Sequence, residues 1–222
     1  MNTIQASTDR SSRRRACNTH RTDAAAFPPY LKRKIPLYEL LSVDGVEAIE
    51  HHAELILQEF GMQFRGDAET IRLFVDAGAE AQGEIVRFPA GLIKQLIKTT
   101  PREFIHHARN PARSIAVGGD NVVFVPAYGS PFVADLERGR RYGTLEDFQN
   151  FIKLAYTCPH IHHSGGTICE PVDIPVNKRH LDMVYAHMRY SDKAYLGSIT
   201  SPERAEDSIE LSRILFGKEF VV

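Results

Sequence analysis

The stretch His160–Thr200, HIHHSGGTICEPVDIPVNKRHLDMVYAHMRYSDKAYLGSIT, decides how the chain is read. It runs as strand (His160–Gly165), polar loop, amphipathic helix and strand (Ala194–Ile199). Leu181, Val184, Tyr185 and Met188 recur at helical spacing, and Asn177 is a good cap for that helix. Imidazoles, a Gly-Gly pair and a carboxylate crowd the exit of the first strand. In parallel α/β folds the strand exit is where ligands bind.

The same rhythm extends both ways. Upstream, Val122–Val125 opens an apolar run, VVFVPAYG, ending in Tyr128-Gly129. PFVADLERGRRYG is a polar excursion with a hairpin signal. Thr144 caps a helix whose Leu145, Phe148, Phe151, Ile152 and Ala155 form one stripe, with Asp147 at the capping-box position. Downstream, Ser201-Pro202-Glu203 reads as cap, first-turn proline and first-turn acid. That last helix carries Ile209, Ser212 and Leu215 on one face and ends at Gly217. Strand–helix repeated three times is the pattern of a parallel sheet. No GxGxxG follows the first strand, which argues against a dinucleotide fold.

The expected fold class is therefore α/β, a partial (β/α)8 TIM barrel of about three βα units. Three units cannot close a barrel, so the chain reads as part of a longer protein, with Glu219–Val222 the approach to a fourth strand and no activity expected of these residues alone.

The expected organisation is a basic tail over 1–34, a helical and β-hairpin segment over 35–120, and the start of the barrel over 121–222. In the middle segment Val46, Ile49, Ala53, Ile56, Leu57 and Phe60 predict a helix stopped by Gly61. Asp67 caps a second helix, closed by Gly78, and Pro89 opens a third. EIVRFP, Phe104–Ala108 and Ser114–Val117 read as short strands, with a turn at Gly118-Gly119-Asp120-Asn121 leading to Val122.

The net charge of −1 hides an asymmetry: residues 1–34 carry +6 and the remainder −7. The basic start has no apolar core of the kind a secretory signal needs. Its Arg-rich run, RSSRRRACNTHRTD, also lacks the aromatic residues and folded basic face of a nucleic-acid binder. No stretch approaches the roughly 20 apolar residues of a membrane span. Cys17, Cys158 and Cys169 have no CxxC spacing, which argues against a disulfide framework or a zinc knuckle and fits a reducing cytoplasm.

Several groups are candidates for chemistry. His160 and His162 share a strand face, as in metal-dependent barrel hydrolases, or they are partly satisfied structural residues. Gly165 and Gly166 let the backbone approach a ligand, or simply turn the chain. Glu170 and Asp173 balance a cationic substrate, act as a base, or cap the helix near Asn177. Tyr128 offers a ring face to an ammonium group, or packs. Lys178, Arg179 and His180, and Arg138, Arg140 and Arg141, read as solvated faces, the second set also as a docking surface for an acidic partner.

Two long runs, ARNPARSIAVGGDNVVFVPAYGSPFVADLERGRRYGTLEDFQNFIKLA from Ala108 and IHHSGGTICEPVDIPVNKRHLDMVYAHMRYSDKAYLGSIT from Ile161, resemble the trimethylamine methyltransferase family. The resemblance runs from Leu40 to Phe216 and is densest over Arg109–Thr200. It implies a TIM barrel preceded by a helical part. It implies transfer of a methyl group from a methylated amine (trimethylamine, or a quaternary amine such as glycine betaine) to the cobalt of a corrinoid carried by a partner protein. No cofactor or metal bound directly by this chain is implied, and a homo-oligomer is compatible with it. Tyr128, His163, Gly165, Gly166, Glu170 and Ser198 then form the candidate substrate-binding set, with no catalytic residue assigned. A non-catalytic fragment that binds the corrinoid protein or a methylamine, and the His160/His162 hydrolase, are the competing readings.

Overall fold

The computed structural model describes residues 28–217. Most of the basic tail, Cys17 and the Glu219–Val222 strand approach lie outside the described residues. The architecture mixes helices and short strands. Among the described residues nine strands form four small sheets, and no closed barrel is present. No described helix is long and apolar enough to cross a membrane.

The N-terminal part packs around its own core. Helix α1 (Val43–Glu59) and α2 (Ala68–Asp76) flank a three-stranded sheet of β2 (Met62–Gln63), β4 (Ile85–Arg87) and β3 (Glu80–Gln82). The short α3 (Leu92–Ile97) follows, starting after Gly91 and not at Pro89. Asp67 caps α2 as expected, accepting from the Thr70 N–H. Ala79, Val86 and Phe88 are buried, with Phe64, Phe74 and Leu57 packed against them. The α1 stripe behaves differently from its sequence pattern. Only Leu57 turns into this core, whereas Val46, Ile49, Ile56 and Phe60 stay exposed.

Strand β1 (Leu31–Lys32) falls inside the stretch read as tail. It pairs with β7 (Asn121–Val122), and Arg33 is bound to Asp120 at 2.6 Å. Strand β5 (Glu103–His106) pairs antiparallel with β6 (Ile115–Gly118). The turn at Gly118–Asn121 therefore passes the chain from one two-stranded sheet to another, because β7 has β1 as its partner.

Strands β8 (Phe132–Asp135) and β9 (Gly139–Tyr142) form the expected hairpin. Arg141 makes a bidentate pair with Asp147, one arm at 2.7 Å. Asp147 also closes the predicted capping box with Thr144 at the start of α4 (Leu145–Thr157). Phe148 and Ile152 of α4 pack with Val133, Cys169, Met183 and Ala186 in the second core. Fully burying a Phe or Ile side chain is worth roughly 2–3 kcal/mol, so this cluster anchors the hairpin, α4 and α5 together.

Helix α5 (Arg179–Tyr190) starts without a side-chain cap, so Asn177 does not have the role expected of it. Its buried face is His180, Met183, Val184, His187 and Met188, with Tyr185 exposed. Helix α6 (Pro202–Phe216) begins behind Ser201 and stops at Gly217 as read, but its buried residue is Ser208 and Ile209 lies at the edge.

The expected strands over His160–Gly165 and Ala194–Ile199 are not regular strands, and β7 ends at Val122. The three segments nevertheless run side by side in one direction. The His162 N–H donates to Phe124 O (2.9 Å), the Ser164 N–H to Ala194 O (2.8 Å) and the Leu196 N–H to Gly165 O (2.9 Å). A parallel bridge joins Ser130 and Cys169. Imidazoles interrupt the ladder. The Phe124 N–H donates to His162 Nδ1 and the Gly165 N–H to His163 Nδ1, both at 2.9 Å. Two donors that a regular ladder would use go to side chains instead.

Candidate functional site

The exits of these three segments meet at the Gly165–Gly166 turn. Gly165 has φ +102°, and a Cβ there would lie 2.9 Å from Ile168 Cγ1. Only glycine adopts that conformation without strain, and the space is already taken. Gly166 is a different case. Its missing Cβ would sit 3.1 Å from Tyr128 Cε1 and 3.3 Å from Leu196 Cβ. The turn thus lies directly against the Tyr128 ring. The Gly129 N–H donates to Thr167 O (2.8 Å), fixing the first exit to the second.

His163 lies on the inner side of the turn and is 2 % exposed. Its Nδ1 accepts from Gly165, so its proton sits on Nε2. Burial, then the neighbouring His106 and His187, lower its pKa to about 3. Burial likewise lowers His106, with His107 adding to the effect, and lowers His162, with Lys193 and His160 adding to it. Near neutral pH this row of imidazoles carries no charge. Burial also raises the Tyr128 phenol, which stays protonated.

The candidate set divides. Tyr128, His163, Gly165 and Gly166 are brought together. Glu170 is turned aside: it pairs with Arg179 at 2.6 Å, while its N–H donates to Ser130 O. Asp173 accepts from the Leu145 N–H at 2.9 Å, so it caps the helix before it and not the one after. Ser198 lies half-buried on the third segment. Arg179 is engaged with Glu170 and Ile174 O, and His180 with Asp207 at 2.8 Å, so neither is a free solvated charge. Arg138 and Arg140 remain on the exposed hairpin, Arg140 stacked on Phe132.

His162 stacks on Phe124 with ring centroids 5.7 Å apart, and its Nδ1 is occupied. Among the described residues no group of three or more His, Cys, Asp or Glu side chains could hold a metal ion. The hydrolase reading of His160 and His162 gains no support from this geometry.

Three residues of this neighbourhood carry no clear signal in the candidate motifs. His187 of α5 is 1 % exposed and bonds to both Ser164 and Gly166. Tyr195 stacks on His187, with centroids 5.8 Å apart, and its hydroxyl lies 3.2 Å from Ser212 Oγ. Lys193 is 6 % exposed and donates to three carbonyls, Ala155 (2.7 Å), Cys158 (3.1 Å) and Ile161. It closes the end of α4 and leads the chain into the His-rich segment. His187 could have been found from helix periodicity. The spacing His180, Met183, Val184, His187, Met188 is a complete apolar helix face once the histidines count as core.

Comparisons with known proteins identify the family. Residues 6–222 match the model of the trimethylamine methyltransferase family. A glycine betaine methyltransferase of Desulfitobacterium hafniense (strain Y51) is 42% identical over 188 residues, covering 85% of this chain and 39% of that protein. A proline betaine:corrinoid methyltransferase of Eubacterium limosum is 24% identical over 164 residues, covering 72% of this chain and 33% of its own length. The chain thus spans between a third and two fifths of the length of these relatives. With the family model matched along nearly the whole sequence, the chain belongs to the trimethylamine methyltransferase family.

Proposed function

We propose that this chain supplies part of the amine site of a methyltransferase that moves a methyl group from a quaternary, betaine-type amine to the cobalt of a corrinoid held by a separate protein. The observation that carries the reading is the Gly165–Gly166 turn set against Tyr128 beside an uncharged His163. A permanent cation is repelled by imidazolium and attracted by an aromatic face. Burial keeps these rings neutral, and Tyr128, 46 % exposed, has a face to offer.

The choice of a quaternary amine rests on the ring face offered to a permanent cation and on the relatives, and the proton balance allows it. When the C–N bond of a quaternary ammonium breaks, the electron pair stays on nitrogen and a neutral tertiary amine leaves. The two electrons of the new bond to carbon come from Co(I) on the partner. No acid is needed. Trimethylammonium, the form of trimethylamine at neutral pH, also releases a neutral amine, dimethylamine, but its N–H calls for a hydrogen-bond acceptor, whereas a quaternary nitrogen calls only for ring faces such as that of Tyr128. The names of both relatives, a glycine betaine and a proline betaine enzyme, support the same substrate class.

The three parallel segments, each followed by a helix, support reading residues 121–217 as the opening strands of a (β/α)8 barrel, with residues 35–120 as a separate N-terminal segment. The free Cys158 and Cys169 fit the cytoplasm as its setting.

The test uses the full-length protein with glycine betaine and cob(I)alamin, alone or on its corrinoid protein. Loss of the Co(I) absorbance with release of dimethylglycine is expected, and far slower transfer from trimethylamine. Transfer from trimethylamine but from no betaine would overturn the quaternary-amine reading. Transfer from neither would overturn the methyltransferase reading.

A further inference from the structure

The Gly165–Gly166 turn is held from behind by one ring. His187 Nε2 lies 3.0 Å from Gly166 O, and Nδ1 lies 2.8 Å from Ser164 Oγ. A carbonyl oxygen only accepts, so Nε2 carries the proton and Nδ1 accepts from the Ser164 hydroxyl. The ring thus grips the chain on both sides of Gly165. It is itself fixed, stacked on Tyr195 at an interplanar angle of 6° and edge-on to Phe148 with centroids 5.3 Å apart. Ser164 is fully buried and His187 nearly so, which leaves no water to replace either bond.

We propose that His187 is a positioning residue, which sets the Gly165–Gly166 turn against Tyr128 and does so as the neutral Nε2–H tautomer. Its influence on substrate rests on the amine site of the proposed function; the clamp itself does not. The Ile168 N–H donates to the same Gly166 O at 2.9 Å, so this amide reports locally on the turn. A protonated ring would present N–H to Ser164 Oγ and leave the buried hydroxyl proton without its acceptor. The clamp therefore depends on one protonation state and one tautomer. The groups facing this ring are Ser164 and Gly166 from the His-rich segment, the titratable Tyr195 from the third segment and Phe148 from α4; His163, whose pKa His187 helps to lower, is a further titratable neighbour.

The experiment uses the full-length protein and three readouts. The ¹⁵N spectrum of His187 should show the Nε2–H form, unchanged from pH 8 down to 5.5. His187→Phe keeps the stacked ring but removes both bonds, whereas His187→Gln restores a donor for Gly166. The first should speed hydrogen exchange at the Ile168 amide at least tenfold more than at core amides of α4, and weaken glycine betaine binding about tenfold. The second should recover part of both. An Nδ1–H tautomer, or a titration near pH 6.5, overturns the clamp even if the Phe variant does not fold. Unchanged exchange and affinity in a folded His187→Phe protein also overturn it. If the native protein binds no betaine while the tautomer and exchange results hold, the amine reading fails and the clamp stands.

Discussion

The imidazole rings of His106 and His163 lie 5.2 Å apart, tilted by 48°, and join β5 of the N-terminal part to the His-rich segment. Neither ring can take a proton without facing other basic groups: His107 acts on His106, while His106 and His187 act on His163. This sets the sign of the pH dependence. In the unfolded chain these side chains accept protons near pH 6.5, whereas folded His187 waits until about 4 and His163 until about 3. The unfolded state binds more protons in between, so stability falls as pH drops below about 6.5. For His187 alone the loss approaches roughly 3 kcal/mol at low pH. Urea unfolding of the full-length protein should show a midpoint falling steadily from pH 6.5 to 4. His163→Phe should flatten that slope, and an unchanged slope would remove His163 from the explanation.

The two glycines of the turn should respond differently to alanine. Gly165→Ala places a Cβ at positive φ and 2.9 Å from Ile168. A left-handed residue costs about 1–2 kcal/mol and the contact adds to it, so a loss above about 2 kcal/mol is expected in denaturant titration. Gly166→Ala meets no such backbone strain. Its Cβ would press on Tyr128 and Leu196, so the effect should fall on ligand affinity, with stability changed by less than about 1 kcal/mol. Equal stability losses for the two variants would contradict this division.

Much of the fold was legible because local rules and tertiary contacts agree there. The Thr144–Asp147 box, the Asp67 cap, the β8–β9 hairpin and the Gly217 stop each depend on residues within a few positions of one another. Where long-range partners decide, the sequence misled. The His160–Gly165 pattern reads as a strand, yet Nδ1 atoms of His162 and His163 take ladder donors, and nothing local announces that. Asp173 lies shortly before Asn177 and looks like a cap for α5, but folding carries it to Leu145 at the start of α4. Of the candidate site, the Gly-Gly pair, Tyr128 and His163 were legible from their place at strand exits. His187 was hidden by the habit of counting histidine as polar on a helix.

Lys193 should be a large single contributor to the shape of the His-rich segment. Its ammonium group satisfies three carbonyls, at Ala155 and Cys158 at the end of α4 and at Ile161 where the His-rich segment begins. Lys193→Met keeps most of the volume and strands those acceptors, at a cost of about 2–4 kcal/mol. Lys153→Met on the exposed side of α4, where the ammonium lies over the Tyr190 ring, should cost no more than about 1 kcal/mol. Thermal or urea unfolding of both variants checks the contrast.

Asp147 ties the hairpin to α4, accepting from Arg141 and from the Thr144 N–H and hydroxyl. The Arg141 guanidinium holds its carboxyl well below the usual range, so it stays charged in mild acid. Asp147→Ala removes the cap and leaves Arg141 with Asp135, at 3.0 Å, and the Tyr142 carbonyl, at 3.3 Å. A loss of about 3 kcal/mol is expected, against about 1 for Thr144→Ala. Because both changes break one network, the double variant should lose less than the sum. Additive losses would mean that the cap and the ion pair act independently.

Tyr128 is where substrate class can be read most directly. Its ring lies against the Gly166 position and is half open, and no buried core cluster depends on it. Tyr128→Phe keeps the ring face and should bind glycine betaine within about threefold of the native full-length protein. Tyr128→Ala loses a cation–π contact worth about 0.5–2 kcal/mol, so calorimetry should show affinity falling about three- to thirtyfold. The carbon isostere 3,3-dimethylbutanoate separates charge from shape, since it has the same three methyl groups and carboxylate but no positive nitrogen. If the aromatic face recognises the cation, the native protein should prefer glycine betaine, and Tyr128→Ala should narrow that preference. If the ring merely excludes water, both ligands should weaken by the same factor, and Tyr128 would then line the site without reading its charge.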